Sequence, residues 1–308
     1  MPAAPRSPKD PRRRPPLRSA LVSPATAGIG LGLLVLAFVA YLQSPSARTE
    51  RLYGSVIHET RSDFSHIRIR EKGTVRSLLF VDEHGHEQCQ SSIDLANPGV
   101  PRLKYTRTIL AAMLFVEEPR TALVVGLGAG GMIRFHQVHF PEIQVEALEI
   151  DPVVVDLAGQ WFGTQPGPGV RIHTVDAFDF FRDSQSDYDI IYMDAFLRPK
   201  GRADLDEKTR RLRTGKFLKG LGDHLRPGGV IAINLIESDP EFSANLAAIR
   251  DSFATVHRFD VPGTGNLVVI ATPDAREIPS DVPRARAEEL DRRGGPFRFQ
   301  AILEQRLP

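Results

Sequence analysis

One apolar, β-branched run that breaks into glycines limits this chain more than any other feature. The run is Thr121-Ala-Leu-Val-Val-Gly-Leu-Gly-Ala-Gly-Gly131, and a second apolar run closes on Glu149-Ile150-Asp151. A strand, a glycine turn, a helix and a second strand ending in acids make the opening βαβ unit of a doubly wound sheet that binds a nucleoside. Gly126 and Gly128 allow a sharp turn and a close approach to a ligand, while Gly130 and Gly131 let the next helix pack near the strand. Glu149 stands where a carboxylate can accept hydrogen bonds from two ribose hydroxyls. The glycines alone also satisfy a dinucleotide fingerprint, and such turns occur without any ligand, so the rest of the chain has to decide.

Downstream of Thr121 the pattern alternates between strands and helices. Strands are expected at 121–126, 144–149, 170–174, 188–193, 229–235, 254–259 and 266–272. Helices are expected near 130–139, 152–160, 177–182, 208–224 and 240–252. Pro262-Gly263-Thr264-Gly265 reads as a hairpin turn between the last two strands. Parallel strands ending in an antiparallel hairpin are the plan of an α/β, class I methyltransferase-like, Rossmann-type doubly wound sheet. A nicotinamide-dependent dehydrogenase fits that ending poorly.

Upstream, residues 51–100 read as a small antiparallel β unit, with strands over 65–70, 75–81 and 87–93 and a turn at Asp82-Glu83-His84-Gly85. Helical spacing follows over Lys104–Phe115. Leu225-Arg-Pro-Gly-Gly-Val230 reads as a tight turn into a strand. The expected domains are a disordered basic tail (1–18), a transmembrane segment (19–43), a β unit with a helix (48–116), a nucleoside-binding domain (117–275) and a C-terminal tail (276–308). The tail is expected to be peripheral, with one helix near 284–292.

From Ser19 to Ala47 no residue is charged, and the apolar stretch reaches the roughly 20 residues that span a bilayer. It reads as a single-pass anchor preceded by a hydrophobic segment's usual basic flank, Arg12 to Arg14. A cleaved signal peptide and a misassigned start are the other readings. The excess of arginines before the segment would place the N-terminus in the cytoplasm, and the side of the globular domain stays open. The formal net charge of +1 excludes a global field that would draw nucleic acid. Cys89 is the single cysteine and reads as a small, half-buried hydrophobe. There is no zinc spacing, so no metal is expected.

Two further acids end strands. Asp176-Ala177 follows the third strand of the doubly wound sheet, where an acid reaches an adenine amino group and the next N–H faces the ring. Asp176 as a helix cap is the other reading. Asp194 ends the fourth strand, at the carboxyl edge where such sheets place ligands. It could take a proton from an attacking amine, or cap a turn.

At these residues the chain, over about 53–275, resembles the spermidine synthase (polyamine aminopropyltransferase) family. His66-Ile-Arg-Ile69 resembles the strand opening the family's N-terminal sheet. Leu79-Phe-Val-Asp82 with Gln90 resembles its L-x-L-D-G…Q element, and Tyr105 stands at its Tyr-His-Glu. Gly126 to Gly131 is similar to its G-G-G-D-G-G turn, Glu149-Ile-Asp151 to its E-I-D, Asp176-Ala177 to its Asp-Gly or Asp-Ala, and Asp194 to the first acid of D-x-x-D-P. The resemblance implies decarboxylated S-adenosylmethionine as the donor and a small amine such as putrescine as the acceptor. It implies Gln90, Gly126, Gly128, Gly130, Glu149, Asp151, Asp176 and Ala177 as the donor-binding set. It makes Asp194, with Tyr105, the catalytic pair. A homodimer is a further expectation. Where the family has an aspartate in the glycine turn, this chain has Ala129. Thr106, Arg107 and Leu197 replace three other polar family residues, and Arg198, Lys200 and Arg202 make the following loop basic. These differences keep two other classes open: a methyltransferase using intact S-adenosylmethionine, and a non-catalytic membrane-tethered nucleoside-binding domain.

Overall fold

Runs of Val, Ile and Leu become strands when both of their faces can be buried, and the apolar run at Thr121 does so in the computed structural model, which describes residues 45–195, 211–275 and 278–308. Thr121–Val125 (β5), Gln144–Glu149 (β6), Val170–Thr174 (β7), Tyr188–Met193 (β8), Leu225–Ile236 (β9), Thr255–Val261 (β10) and Asn266–Thr272 (β11) form one sheet. Its order is β10-β11-β9-β8-β5-β6-β7. β5 to β9 run parallel, and β11 lies between β9 and β10, antiparallel to both. The mixed sheet with its terminal hairpin is the Rossmann-like methyltransferase fold expected from the sequence.

Side chains alternate across the pleat, so each strand feeds two cores. Ala122, Val124, Ile190, Tyr192, Val230 and Ala232 pack on one face. Leu123, Val125, Ile191, Met193, Ile231 and Ile233 pack on the other, against Phe217, Leu218 and Leu221 of the helix Gly215–Gly222.

A second, four-stranded antiparallel sheet precedes it, in the order β1-β2-β3-β4: Ser55–Arg61, His66–Lys72, Val75–Val81 and Glu87–Asp94. β1 was not resolved as a strand from the sequence, because Ser-Val-Ile-His-Glu-Thr-Arg is mostly polar and half-exposed. It is recruited by pairing with β2. Ile67, Ile69, Leu78 and Ile93 of this sheet pack on Val154, Leu157 and Phe162 of the helix Pro152–Phe162. Arg76 adds a hydrogen bond to the Trp161 carbonyl at 2.8 Å. The small sheet is thereby held over the carboxyl edge of the large one.

Four expectations need correction. The turn expected at 225–230 is part of β9, which starts at Leu225 opposite Tyr188 and slips in register before Val230, where Gly228 takes φ +85°. The helix expected over Lys104–Phe115 is α-helical only to Ile109 and tightens to a 3-10 turn over Leu110–Leu114. The C-terminal segment is no peripheral tail. It carries helices Asp281–Arg292 and Phe299–Leu303, and Ala287, Leu290, Phe299 and Ile302 complete the core under the sheet.

The last correction concerns the membrane anchor expected over residues 19–43. That segment and the basic tail before it lie outside the described residues. Among the described residues no helix is long and apolar enough to cross a membrane. The longest has 12 residues, against the roughly 20 that a span needs. Thr49–Pro308 forms one compact unit; of the unit Met1–Arg48 only residues 45–48 are described, as the start of the helix Pro45–Tyr53.

Candidate active site

Strand order reverses between β5 and β8, where the chain leaves one side of the sheet for the other, and their carboxyl ends open a crevice there. Asp194 and Gly126 face each other across this crevice. The Asp194 N–H donates to the Val125 carbonyl at 2.9 Å. Gly126 has φ +99°, and a Cβ placed on it would lie 2.5 Å from the Asp194 carbonyl oxygen. Backbone strain and collision add here. Gly126→Ala is therefore expected to lose about 2–4 kcal/mol in urea unfolding. An unchanged midpoint would show that the turn relaxes. Gly130 has φ +83° and caps the helix Gly131–His139; a Cβ on it would lie 2.2 Å from Thr164.

The pocket above this crevice is lined by every residue named from the sequence: Gln90, Tyr105, Gly126, Gly128, Gly130, Glu149, Asp151, Asp176, Ala177 and Asp194. The two sheets supply opposite walls, with Ser65, Phe80, Ser91 and Ser92 coming from the small one. What the structure separates is how free each acid is.

Glu149 accepts the Leu127 N–H at 3.1 Å on one carboxylate oxygen and the Asp151 N–H at 3.0 Å on the other. These bonds aim the carboxylate along the glycine turn. Burial raises its pKa above the ordinary range, and the backbone N–H groups oppose that shift. Asp151 is a different case. It is 2% exposed, accepts the Val153 N–H at 2.9 Å as the cap of the helix Pro152–Phe162, and accepts the Ser62 hydroxyl at 2.5 Å. Its side chain joins the two sheets. Asp176 does cap the helix Ala177–Asp183 through the Phe178 N–H at 3.0 Å, and it also stands at the pocket wall. The two sequence readings of this residue are compatible.

Asp194 is half-buried at the end of β8. One carboxylate oxygen accepts the Asn234 side-chain amide at 3.0 Å, and Asn234 in turn accepts from Asn266 at 3.0 Å. The Tyr105 phenol stands beside Asp194 and donates to the Gln90 carbonyl at 3.4 Å. Burial pushes Asp194 up to about 7, against the opposing pull of Asn234 and Tyr105. Burial and the neighbouring Asp194 carboxylate both raise the Tyr105 phenol. A carboxyl poised near neutrality can exchange a proton with a bound group at physiological pH.

Sequence reading missed Asn234, although a lone amide within Val230-Ile-Ala-Ile-Asn-Leu-Ile236 is a visible signal. It also missed Ser62 and Arg102, whose positions carry no local pattern. Ala129 lies at 0% exposure among Ile67, Leu78, Val154 and Leu157, under the small sheet. Leu197, Arg198, Lys200 and Arg202 lie outside the described residues. Among the described residues no group of three or more His, Cys, Asp or Glu side chains is placed to hold a metal ion.

Comparison with known proteins bears on this geometry. The family model described as the spermine/spermidine synthase domain matches residues 103–255. A polyamine aminopropyltransferase of Vibrio vulnificus is 29% identical over 245 residues, 78% of this chain and 78% of that protein. A spermidine synthase solved in complex with the transition-state analogue AdoDATO superposes with a TM-score of 0.62 at 16% identity, covering 82% of this chain and 85% of that one. Human methyltransferase-like protein 13 in complex with SAH superposes with a TM-score of 0.56 at 23% identity, over 62% of this chain and 92% of that one. The two structures show the shared fold. The likeness to polyamine aminopropyltransferases also counts against the membrane localisation expected from residues 19–43, which is withdrawn.

Proposed function

Because the chain is a divergent member of the spermine/spermidine synthase family, we propose that it moves an aminopropyl group from decarboxylated S-adenosylmethionine to an amine acceptor such as putrescine. It is a transferase of the polyamine aminopropyltransferase type. The observation that carries the reading is Asp194, a carboxyl at about 7 held by Asn234 beside Tyr105 on the pocket wall.

The residues suit an adenosyl donor. Glu149 is fixed by two backbone N–H groups but keeps lone pairs toward the pocket, as a ribose diol requires. Asp176 and Ala177 stand at the far end for a base, and Gln90 lies on the opposite wall. The donor's sulfonium supplies the leaving group. Asp194 takes a proton from the acceptor's ammonium; the freed nitrogen lone pair forms the new C–N bond, and the C–S pair leaves with sulfur. The protein's contribution is position and that proton transfer. Asn234 holds the Asp194 carboxylate in place, and Tyr105 stands beside it.

The direct test is incubation with decarboxylated S-adenosylmethionine and putrescine, followed by chromatography for methylthioadenosine. Its release, abolished by Asp194→Asn, is the expected outcome. A second reading, methyl transfer from intact S-adenosylmethionine, is favoured by one observation: the glycine turn presents no acid to the pocket, because the Ala129 methyl is buried under the small sheet, and the decarboxylated donor has only its amine to anchor its tail whereas the intact donor also has a carboxylate. Release of S-adenosylhomocysteine without methylthioadenosine would put that reading first.

A further inference from the structure

Each carboxylate on the described pocket wall already has partners. Glu149 and Asp151 accept on both oxygens, Asp176 caps a helix, and Asp194 is held by Asn234 beside Tyr105. A diamine brings two ammonium groups. Asp194 can serve the reacting one; the free lone pairs of Glu149 go to the ribose in the reading above, and Asp151 and Asp176 cap helices, so no described acid is left over for the distal one.

The same wall carries a cation. Arg102 lines the pocket just before the helix Lys104–Ile109, which bears Tyr105. Its side chain is exposed, and no hydrogen bond or ion pair to a described residue holds its guanidinium. Its charge reaches Cys89 and Asp94 from a distance, and Asp94 already accepts from the Ala96 N–H at 3.1 Å. An unengaged guanidinium in a pocket repels an ammonium and matches a carboxylate in a two-point hydrogen bond.

We infer that Arg102 makes this site select a substrate bearing a carboxylate next to the reacting group, in place of a second ammonium. The inference rests on the adenosyl-donor reading above: it keeps the nucleoside pocket and replaces either putrescine or the decarboxylated donor with a carboxylate-bearing counterpart. The carboxylate has two chemical sources. It can belong to the acceptor, as in an ω-amino acid, or to the donor, as in intact S-adenosylmethionine.

Calorimetric titration of the full chain separates these sources. The donor arm compares S-adenosylmethionine with its decarboxylated form. The acceptor arm, in protein saturated with methylthioadenosine, compares 4-aminobutanoate with putrescine. Methylthioadenosine alone, which has no charged tail, reports the nucleoside pocket. The carboxylate-bearing member of one pair is expected to bind about tenfold or more tighter. Arg102→Gln should remove that preference while leaving methylthioadenosine affinity unchanged, and the arm that responds names the source. Preference for the decarboxylated donor and for putrescine, or a carboxylate preference that survives Arg102→Gln, overturns the inference and leaves aminopropyl transfer standing. Failure of methylthioadenosine to bind overturns both.

Discussion

Asp194→Asn is expected to lower kcat by about 10²–10⁴-fold, the range for loss of a positioned general base. The same change is expected to raise stability at pH 8. A carboxyl whose pKa climbs from 3.8 to about 7 on folding stabilises the fold while it is protonated. That contribution is complete below the unfolded value and is lost as pH rises through about 7. Ionisation of Asp194 in its buried place therefore costs the native protein about 2–4 kcal/mol at pH 8, an order-of-magnitude figure. Asparagine cannot ionise, and its carbonyl can still accept from Asn234. Urea unfolding should show the variant close to the parent near pH 4 and more stable by this margin at pH 8. The parent's kcat/KM should rise from pH 6 to pH 8 with an inflection near 7. A flat profile, or a variant that keeps its rate, would remove Asp194 from the proton transfer.

Ala129→Asp should give the second large effect, and its sign depends on the tertiary structure. Read along the sequence, the substitution restores the family's acid to the glycine turn and should tighten the decarboxylated donor. In the fold, Ala129 is 0% exposed and packed among Ile67, Leu78, Val154 and Leu157. An aspartate there enters an apolar cluster without a partner. An uncompensated buried charge costs about 3–5 kcal/mol, more than the roughly 0.5–1.5 kcal/mol net of a typical hydrogen bond to a ligand. The expected result is a lower unfolding midpoint by that amount and no gain in affinity for the decarboxylated donor. If calorimetry shows tighter binding at unchanged stability, the position opens to the pocket and the small sheet is more yielding than its packing implies.

Much of the site was readable because its signals are local. Gly126 and Gly130 need positive φ, and the turn they make is written within a few residues of β5. Glu149, Asp176 and Asp194 follow strands whose apolar runs identify them, so their place at the carboxyl edge follows from the alternation of strand and helix alone. Their states were not readable. Asp151 and Asp176 look alike in sequence and both reach the pocket wall, yet only Asp151 also accepts a hydroxyl from Ser62, 89 positions away. Nothing near Asp194 announces Asn234, which arrives 40 residues later on the neighbouring strand.

By itself, then, the sequence determined the order of elements, the glycine turn and the acids at the strand ends, since propensity, periodicity and positive φ act within a few residues. Tertiary structure alone decided that the small sheet closes on the helix Pro152–Phe162 and that Ala129 is walled off from the pocket. It also decided that the last helices complete the core, and that Asp194 is lifted toward neutrality while Arg102 is left unengaged. Burial and desolvation are properties of surfaces brought together from distant parts of the chain, and no local pattern encodes which surfaces will meet.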